Sequence, residues 1–383
     1  PDCKMTTPEM IRHAGYPCEV HNVQTKDGYI LTMHRIPYGV TDTSRKGSSR
    51  LRLKRPVVFM QHGILADSSC WVANGAGGRS LPYILADMGC DVWLGNVRGS
   101  TYSRAHSTLD ADVSEKYWRF SWQHMSEQDI PSMVNKALHV SSQRSLYYVG
   151  HSQGTLVAFA RLAEDPEFNN KIKMLFALGP VTRLANLTSP IKSLVYLNRP
   201  AFLGMSMFGG TEVLPKKAIS QWITAKLHNQ IAYQGNNMMM YLCGVHLEHY
   251  YKDRLPVYLS HTPGGTSLQN LLHFSQMVES GKMQKWDHWS AKENLDAYGQ
   301  ETSPEYELSN IKSPVALFVG SLDQLAHPVD NKSIKLMDIN NFLNLQIPQL
   351  DDWDHLDFLW GKNAGVVYNK ISKFITEHER KGH

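Results

Sequence analysis

Short, wholly apolar segments alternating with helical patterns are the feature that most constrains the fold of this chain. The runs at residues 56–60 and 314–319 lack the alternation of apolar and polar residues that is typical of a strand with one solvent-exposed face. A strand that is apolar throughout is covered on both faces, as in parallel sheets. We therefore predict an α/β protein with a mostly parallel central sheet and helices on both faces.

The pattern assigns most elements of this sheet. Strands are predicted at 29–31, 56–60, 90–94, 146–149, 173–178, 314–319 and 343–347, and helices at 81–88, 126–141, 154–163 and from about 364. In the helix at 126–141, Ser126 is the expected N-cap, and Asp129 lies in the first turn.

The alternation stops between about residues 183 and 310, where methionines, aromatics and polar residues mix. We predict that this block is inserted on top of the sheet. The expected domains are a core made of residues 1–182 and 311–383 and an insertion of residues 183–310.

Composition excludes several classes of protein. The 383 residues are 42% hydrophobic and 19% charged, with a net charge of +4, which is unlike disordered or collagenous chains. Serines and leucines interrupt the basic stretch at 45–55, so a solvated loop is favoured over a nucleic-acid surface. No apolar run reaches the length of a membrane span.

The absence of a start Met and an apolar leader before Pro1 is expected of a processed chain, although a trimmed chain would look the same.

The segment Gly150-His151-Ser152-Gln153-Gly154 matches G-x-S-x-G. The bare pattern is weak, but here a predicted strand precedes it and a predicted helix follows. Such a tight turn strains the serine backbone and presents its hydroxyl at the carboxyl edge of the sheet. We predict that Ser152 is a nucleophile, in preference to a serine in an ordinary strand–helix turn.

A serine hydroxyl needs a base, and the base needs an acid that orients it. In this architecture both follow the serine, in loops after later strands. Asp323, which follows the strand at 314–319, is the predicted acid. Asp330 is its nearest rival but is expected to begin a helix and face water. His355, between the last strand and the last helix, is the predicted base.

A tetrahedral intermediate needs backbone N–H donors aimed at its oxyanion. The amide of Gln153 is one predicted donor, and the amide of Ile64, in the loop after the strand at 56–60, is the other. His62 is expected to brace that loop rather than transfer protons, and Arg98 to act as scaffolding.

Longer motifs resemble those of the acid lipase family, which includes gastric and lysosomal acid lipases. They cover nearly the whole chain and include residues 8–11, 15–17, 27–31, 35–39, 55–71, 91–99, 148–155, 258–261, 263–267 and 355–358. The resemblance implies an α/β-hydrolase fold whose insertion is a mainly helical cap domain with a lid. It also implies Ser152 as nucleophile, Asp323 as acid, His355 as base, and Ile64 and Gln153 as oxyanion-hole residues.

The expected activity is hydrolysis of neutral lipid esters, triacylglycerol or cholesteryl ester, at a lipid–water interface and without a cofactor. Met238, Met239 and Leu242 either pack the core of the cap or line an acyl-chain tunnel. The alternatives are a carboxylesterase for smaller soluble esters and a non-catalytic lipid-binding protein on a lipase scaffold. No obligate protein partner is expected.

The remaining motifs are weaker. His246 and His249 have a spacing that can bind metal, but the rest of a zinc set is missing, so no metal site is predicted. Cys3 and Cys18 are candidates for a disulfide. Because the chain has five cysteines, at least one must be a free thiol or form an intermolecular bond. Asn186 and Asn331 begin glycosylation sequons. They weakly support a secretory route, with secretion favoured over the lysosome.

Overall fold

The computed structural model describes residues 1–40, 55–189, 192, 204, 211–213, 244–331, 342–343 and 350–381. The strands are β1 (Glu19–Gln24), β2 (Tyr29–Ile36), β3 (Val57–Gln61), β4 (Asp91–Gly95), β5 (Ala105–His106), β6 (Leu146–His151), β7 (Ile172–Leu178), β8 (Glu212–Val213), β9 (Thr266–Ser267), β10 (Val315–Phe318) and β11 (Phe342–Leu343).

The main sheet runs in the order β1-β2-β4-β3-β6-β7-β10-β11, with β5 paired to β2. The pairs from β4 to β11 are parallel, whereas β1 and β2 form an antiparallel edge. In register, Gly150 at the end of β6 lies opposite Ala177 of β7. The prediction of a mostly parallel sheet is confirmed.

The helices are α1 (Thr7–His13), α2 (Leu81–Asp87), α3 (Trp122–His124), α4 (Ile130–Ser141), α5 (Gln153–Glu164), α6 (Pro166–Asn169), α7 (Leu255–His261), α8 (Leu268–Ser280), α9 (Ala291–Tyr298), α10 (Asp357–Trp360) and α11 (Gly365–Arg380). No helix in these described ranges is long and apolar enough to cross a bilayer.

Both faces of the sheet are covered by apolar cores. Every residue of β3 is buried. Val57 and Phe59 face a core that includes residues of α4 and α5, whereas Val58 and Met60 face a second core with residues of α2 and α11. The unbroken apolar run therefore reflects helices on both sides.

The helix predicted at 126–141 differs from the structure. It is preceded by α3 and a π-helical turn, Met125–Asp129, and α4 begins only at Ile130. Ser126 is buried inside the π-helical turn and is no N-cap. Asp129 lies directly before α4 rather than in the first turn of a helix that begins at Ser126, and it is fully buried and paired with Arg98.

Two other expectations change. Cys3 and Cys18 are both free thiols, so the disulfide between them is contradicted. Of the strand predicted at 343–347, the structure describes only β11 at Phe342–Leu343, and the remainder lies outside the described residues. The C-terminal helix is confirmed as α11.

Arg98 joins three segments of the core from a position that is 1% exposed. Its Nη1 donates to Asp27 Oδ2 at 2.6 Å and its Nε donates to Asp129 Oδ1 at 2.8 Å. The guanidinium also lies 3.8 Å from the centre of the Tyr29 ring. The side chain therefore ties the β1–β2 turn and the loop after β4 to the π-helical turn, as expected of scaffolding.

We predict that Arg98→Met destabilises the fold by about 3–5 kcal/mol, because it leaves two carboxylates, one of them fully buried, without their cation. Urea denaturation gives the free energy of unfolding. Lys373→Ala is the control, since Lys373 forms an exposed pair with Glu377 and should change stability by no more than about 0.5 kcal/mol. An equal effect of the two substitutions would contradict this role of Arg98.

Candidate active site

Ser152 occupies the turn between β6 and α5 in a strained conformation, with φ 54° and ψ −122°. This region of backbone space is costly for a residue with a side chain. The turn is held by close packing: a Cβ on Gly154 would lie 2.2 Å from the backbone oxygen of Gln61. A Cβ on Gly150 would lie 2.8 Å from the backbone of Gly154. Both glycines of the motif are therefore needed for the approach of β6, α5 and the end of β3.

Gly154→Ala should lower stability by about 1–3 kcal/mol and lower any Ser152-dependent activity, because the new methyl group meets backbone that cannot move aside. Thermal unfolding and labelling of Ser152 by a fluorophosphonate would measure both effects. Gly365→Ala, at the start of α11, is the matched control, since no atom lies within 4 Å of its added Cβ. A Gly154→Ala protein as stable and reactive as this control would refute the packing argument.

The structure brings His355 and Asp323 together. His355 Nδ1 lies 2.8 Å from Asp323 Oδ2, and both side chains are buried. Because a carboxylate only accepts, Nδ1 carries the proton and Nε2 keeps its lone pair for another group. The second carboxylate oxygen accepts hydrogen bonds from the amides of Leu325 and Ala326, at 3.0 and 2.7 Å.

The environment keeps Asp323 ionised. Burial alone would raise its pKa, but the charge and hydrogen bond of His355 and then the two backbone amides outweigh burial, so the pKa of Asp323 is lowered. A carboxylate in this state can hold an imidazole in one orientation and stabilise imidazolium.

The turn at Ser152 lies beside this pair. His151 Nε2 donates to the backbone oxygen of His355 at 2.8 Å, and the two rings are 4.8 Å apart. The amide of Ser152 donates to Leu178 O at the end of β7. Next along the chain, a Cβ on Gly179 would lie 3.1 Å from His355 Nδ1. Ser152 Oγ itself makes no hydrogen bond with His355 in this structure, and such bonds often tighten only when substrate is bound.

The two predicted oxyanion amides flank this turn. Neither the Ile64 nor the Gln153 amide donates a hydrogen bond within the described part of the chain. The loop carrying Ile64 lies against the serine, because a Cβ on Gly63 would be 2.9 Å from Ser152 Cβ. Gln153 is the first residue of α5, where free N–H groups and the helix dipole favour negative charge.

His62 braces the Ile64 loop, as expected. Its Nδ1 lies 2.8 Å from Gly63 O, and its Nε2 accepts from the Val97 amide at 3.4 Å. Both ring nitrogens are thus engaged with backbone. Burial lowers the pKa of His62, which keeps the ring neutral.

The rival acid, Asp330, is buried rather than exposed, so its expected exposure was wrong. Its carboxylate accepts from the backbone and side-chain amides of Asn186, at 3.0 and 2.7 Å. Asp323, and not Asp330, is the partner of His355.

Asp354 and Asp357, on either side of His355, contact a segment that sequence reasoning left unconnected to the site. His249 Nδ1 lies 2.9 Å from Asp357 Oδ2, and the amide of His246 donates to Asp354 Oδ2 at 2.8 Å. Burial, followed by the charge of Asp354, raises the pKa of Asp357 to about 6. These contacts tether the loop that carries His355.

Among the described residues, His246, His249 and Asp354 form a group that could hold a metal ion, with one ligand atom from each lying within 4.8 Å of the others. Both oxygens of Asp354 already accept hydrogen bonds, Oδ2 from the His246 amide and Oδ1 from Leu356 N. The tethering role explains the group, and the sequence prediction of no metal site stays a prediction.

His151 was not predicted as a site residue, because its place inside G-x-S-x-G gives no chemical signal. Burial, and then the neighbouring imidazole of His355, lower the pKa of His151 to about 3. An unfolded histidine titrates near pH 6.5. Between about pH 6.5 and 3 the unfolded chain therefore binds a proton that the folded chain does not, and folding stability falls as the pH falls.

We predict that His151→Gln makes the free energy of unfolding less steeply dependent on pH in this window, by up to about 1.4 kcal/mol per pH unit. The glutamine amide can still donate to His355 O but does not titrate. Urea denaturation of both proteins at pH 7, 6, 5 and 4 measures the two slopes. Parallel slopes would show that His151 does not contribute to acid instability.

The remaining site predictions have different outcomes. Met238, Met239 and Leu242 lie outside the described residues. Asn331 is 2% exposed and its Nδ2 donates to Ala326 O, so burial argues against a glycan there. Asn186 is exposed, although its side-chain amide donates to Asp330.

Comparison with known proteins gives matches over the whole chain. Two protein-family models match the chain. The model described as a partial α/β-hydrolase lipase region matches residues 7–75, and the model of the α/β hydrolase fold matches residues 56–362. Human lysosomal acid lipase/cholesteryl ester hydrolase is 40% identical over 99% of this chain and 92% of its own length. Lipase lipl-1 of Caenorhabditis elegans is 42% identical, and mouse lipase member K is 38% identical, each over 98% of this chain and 92% of its own length.

Solved structures share the fold at low identity. An epoxide hydrolase from Vigna radiata matches with a TM-score of 0.51 and 15% identity, over 94% of this chain and 98% of its own. A thioesterase domain from the curacin biosynthetic pathway matches with a TM-score of 0.50 and 15% identity, over 93% of this chain and 99% of its own. At this identity the likeness establishes only the fold.

Proposed function

Since the chain belongs to the α/β-hydrolase fold family, and within it to the lipases that include lysosomal acid lipase, we propose that it hydrolyses neutral lipid esters through an acyl-enzyme. The relatives named above, a lysosomal acid lipase/cholesteryl ester hydrolase and a lipase, support lipid esters as the substrate class. Within this class we propose triacylglycerol and cholesteryl ester. The observation that carries the proposal is the buried His355–Asp323 pair beside the strained turn of Ser152.

In this mechanism Ser152 Oγ attacks the ester carbonyl, and His355 Nε2 takes the hydroxyl proton. Asp323 holds the imidazole and stabilises the imidazolium. The amides of Ile64 and Gln153 receive the oxyanion of the tetrahedral intermediate. His355 then returns its proton to the departing alcohol.

The second half of the reaction repeats these roles with water. His355 removes a proton from water as the water attacks the acyl-enzyme, and the collapse of the second intermediate releases the fatty acid from Ser152. Each proton transfer uses a side chain of the protein, and we propose that no cofactor takes part.

The inserted block is the part proposed to recognise lipid. We propose the division into core residues 1–182 and 311–383 and a cap with a lid at 183–310. Met238, Met239 and Leu242 remain proposed acyl-chain contacts, since methionine adapts to irregular apolar ligands. A lid over an apolar site would couple activity to a lipid–water interface.

A secretory destination accompanies this proposal. The lysosomal acid lipase relatives and the exposed Asn186 of the sequon Asn186-Leu187-Thr188 support a route to the cell exterior or the lysosome. Asn186 is the proposed glycosylation site, because Asn331 is buried.

Ser152→Ala should lower hydrolysis of a p-nitrophenyl ester roughly 10⁴-fold or more, because the nucleophile is lost while the fold is kept. Asp323→Asn should also lower the rate severely, since the amide no longer fixes the protonated Nδ1 of His355. Initial rates, with circular dichroism as the control for folding, measure both effects. Hydrolysis by Ser152→Ala at the parent rate would refute the assignment.

The substrate class is tested with the parent protein and the same Ser152→Ala control. Emulsified triacylglycerols of several chain lengths, cholesteryl oleate and a soluble short-chain ester are compared from pH 4 to 8. A lipase should accelerate when the substrate forms an interface. Turnover of only the soluble ester would favour a carboxylesterase, and no turnover or fluorophosphonate adduct would favour a lipid-binding protein.

A further inference from the structure

We propose that Asn270 is a positioning residue that acts on catalysis through the Gln153 side chain, and that it holds the oxyanion amide of Gln153 in place. Asn270 lies in the first turn of α8, in the inserted block, and is completely buried. Its Nδ2 donates to Gln153 Oε1 at 2.7 Å, across 117 residues of sequence. This inference rests on the proposed function and deepens it.

The orientation of the Asn270 amide is fixed by its surroundings. Its Oδ1 accepts from the backbone amide of Trp122 at 2.7 Å. Because a backbone N–H can only donate, the oxygen must face Trp122, and the NH₂ group must face Gln153. The second hydrogen of that group is used by Thr266 Oγ1 at 3.0 Å.

The backbone of Asn270 is fixed as well. Its amide donates to the Ser267 hydroxyl at 3.0 Å, which caps α8. The Ser267 hydroxyl in turn donates to the backbone oxygen of Phe120. Asn270 is therefore attached to the core segment 120–122 through both its backbone and its side chain, and gives Gln153 a rigid partner.

Among the residues that the structure describes, Gln153 has no other strong side-chain partner. Its Nε2 lies 3.3 Å from Met125 Sδ, and a thioether sulfur is a weak acceptor. Its Oε1 accepts a short hydrogen bond from Asn270 Nδ2, and neither group is charged. Without Asn270 this carbonyl would be buried with no partner, which favours movement of the side chain toward another donor.

Movement of this side chain matters because Gln153 immediately follows the strained Ser152. The same residue starts α5 and presents the backbone N–H proposed to bind the oxyanion. Removal of one oxyanion donor lowers the kcat of an enzyme by a factor of about 10²–10³. Displacement of the donor should lower kcat by a smaller factor, and we expect about a 10- to 100-fold decrease.

The first test is Asn270→Leu, which keeps the branched shape and the number of side-chain heavy atoms but removes the hydrogen bond. With a soluble p-nitrophenyl ester, we expect kcat to fall about 10- to 100-fold while KM changes less than about 3-fold, because the oxyanion forms only after substrate is bound. Asn294→Leu is the matched control. Asn294 is also buried in the inserted block and has one accepted and two donated hydrogen bonds, none to Gln153.

The second test separates positioning from a purely structural role. Gln153→Met breaks the same hydrogen bond from the other side, while the residue still has a backbone N–H and Asn270 still accepts from the Trp122 amide. If Asn270 acts through Gln153, the double variant should have the kcat of Gln153→Met alone. Gln153→Met also decides the question if Asn270→Leu fails to fold, because it should lower kcat by the same factor with KM preserved.

The inference is overturned if Gln153→Met, or a folded Asn270→Leu protein, keeps kcat within about 3-fold of the parent. It is also overturned if the two losses multiply in the double variant, or if Asn294→Leu lowers kcat equally. These results leave the proposed function intact when the parent cleaves the ester and Ser152→Ala does not. Failure of the parent to cleave any ester would instead refute the proposed function.

Discussion

The close approach of β3, β6 and α5 around Ser152 is the constraint on which the rest of the site depends. The serine adopts a φ of 54° because the chain must pass from a strand into a helix within one residue. Gly154 meets the backbone of Gln61 at a distance that leaves no room for a side chain. Burial of all β3 and β6 residues holds these elements together, so the packing energy of the core maintains the backbone strain at Ser152.

The parallel sheet explains why residues far apart in sequence meet at this turn. β6, β7 and β10 are neighbours in one parallel register, and the loops that leave their carboxyl ends lie at one edge. The loop after β10 carries Asp323, and His355 reaches the same edge 32 residues later. Opposing effects then set the state of the acid, since burial disfavours its charge and His355 favours it more strongly.

The sequence could predict the strands of the core and the pairing of Asp323 with His355, because buried strands are apolar throughout and the order of loops follows from topology. It could not predict the π-helical turn before α4, since the ion pair that holds Asp129 comes from Arg98, a residue remote in sequence. The exposure expected of Asp330 failed for the same reason, because its partner Asn186 lies in another segment. Local patterns carry no information on such pairs, which form only after the chain has folded.

Residues 244–310, the described later part of the proposed insertion, contact the neighbours of Ser152 and His355 directly. Asn270 donates to Gln153 on one side of Ser152. The Gly264 amide donates to Leu65 O at 2.6 Å, next to Ile64 on the other side. The backbone amide of His246 donates to Asp354, beside His355. In the proposed division, loops of the core carry the proposed reacting groups, while the insertion contacts the neighbours of those groups. We therefore expect that a change in the insertion can alter catalysis without changing any residue that touches the ester.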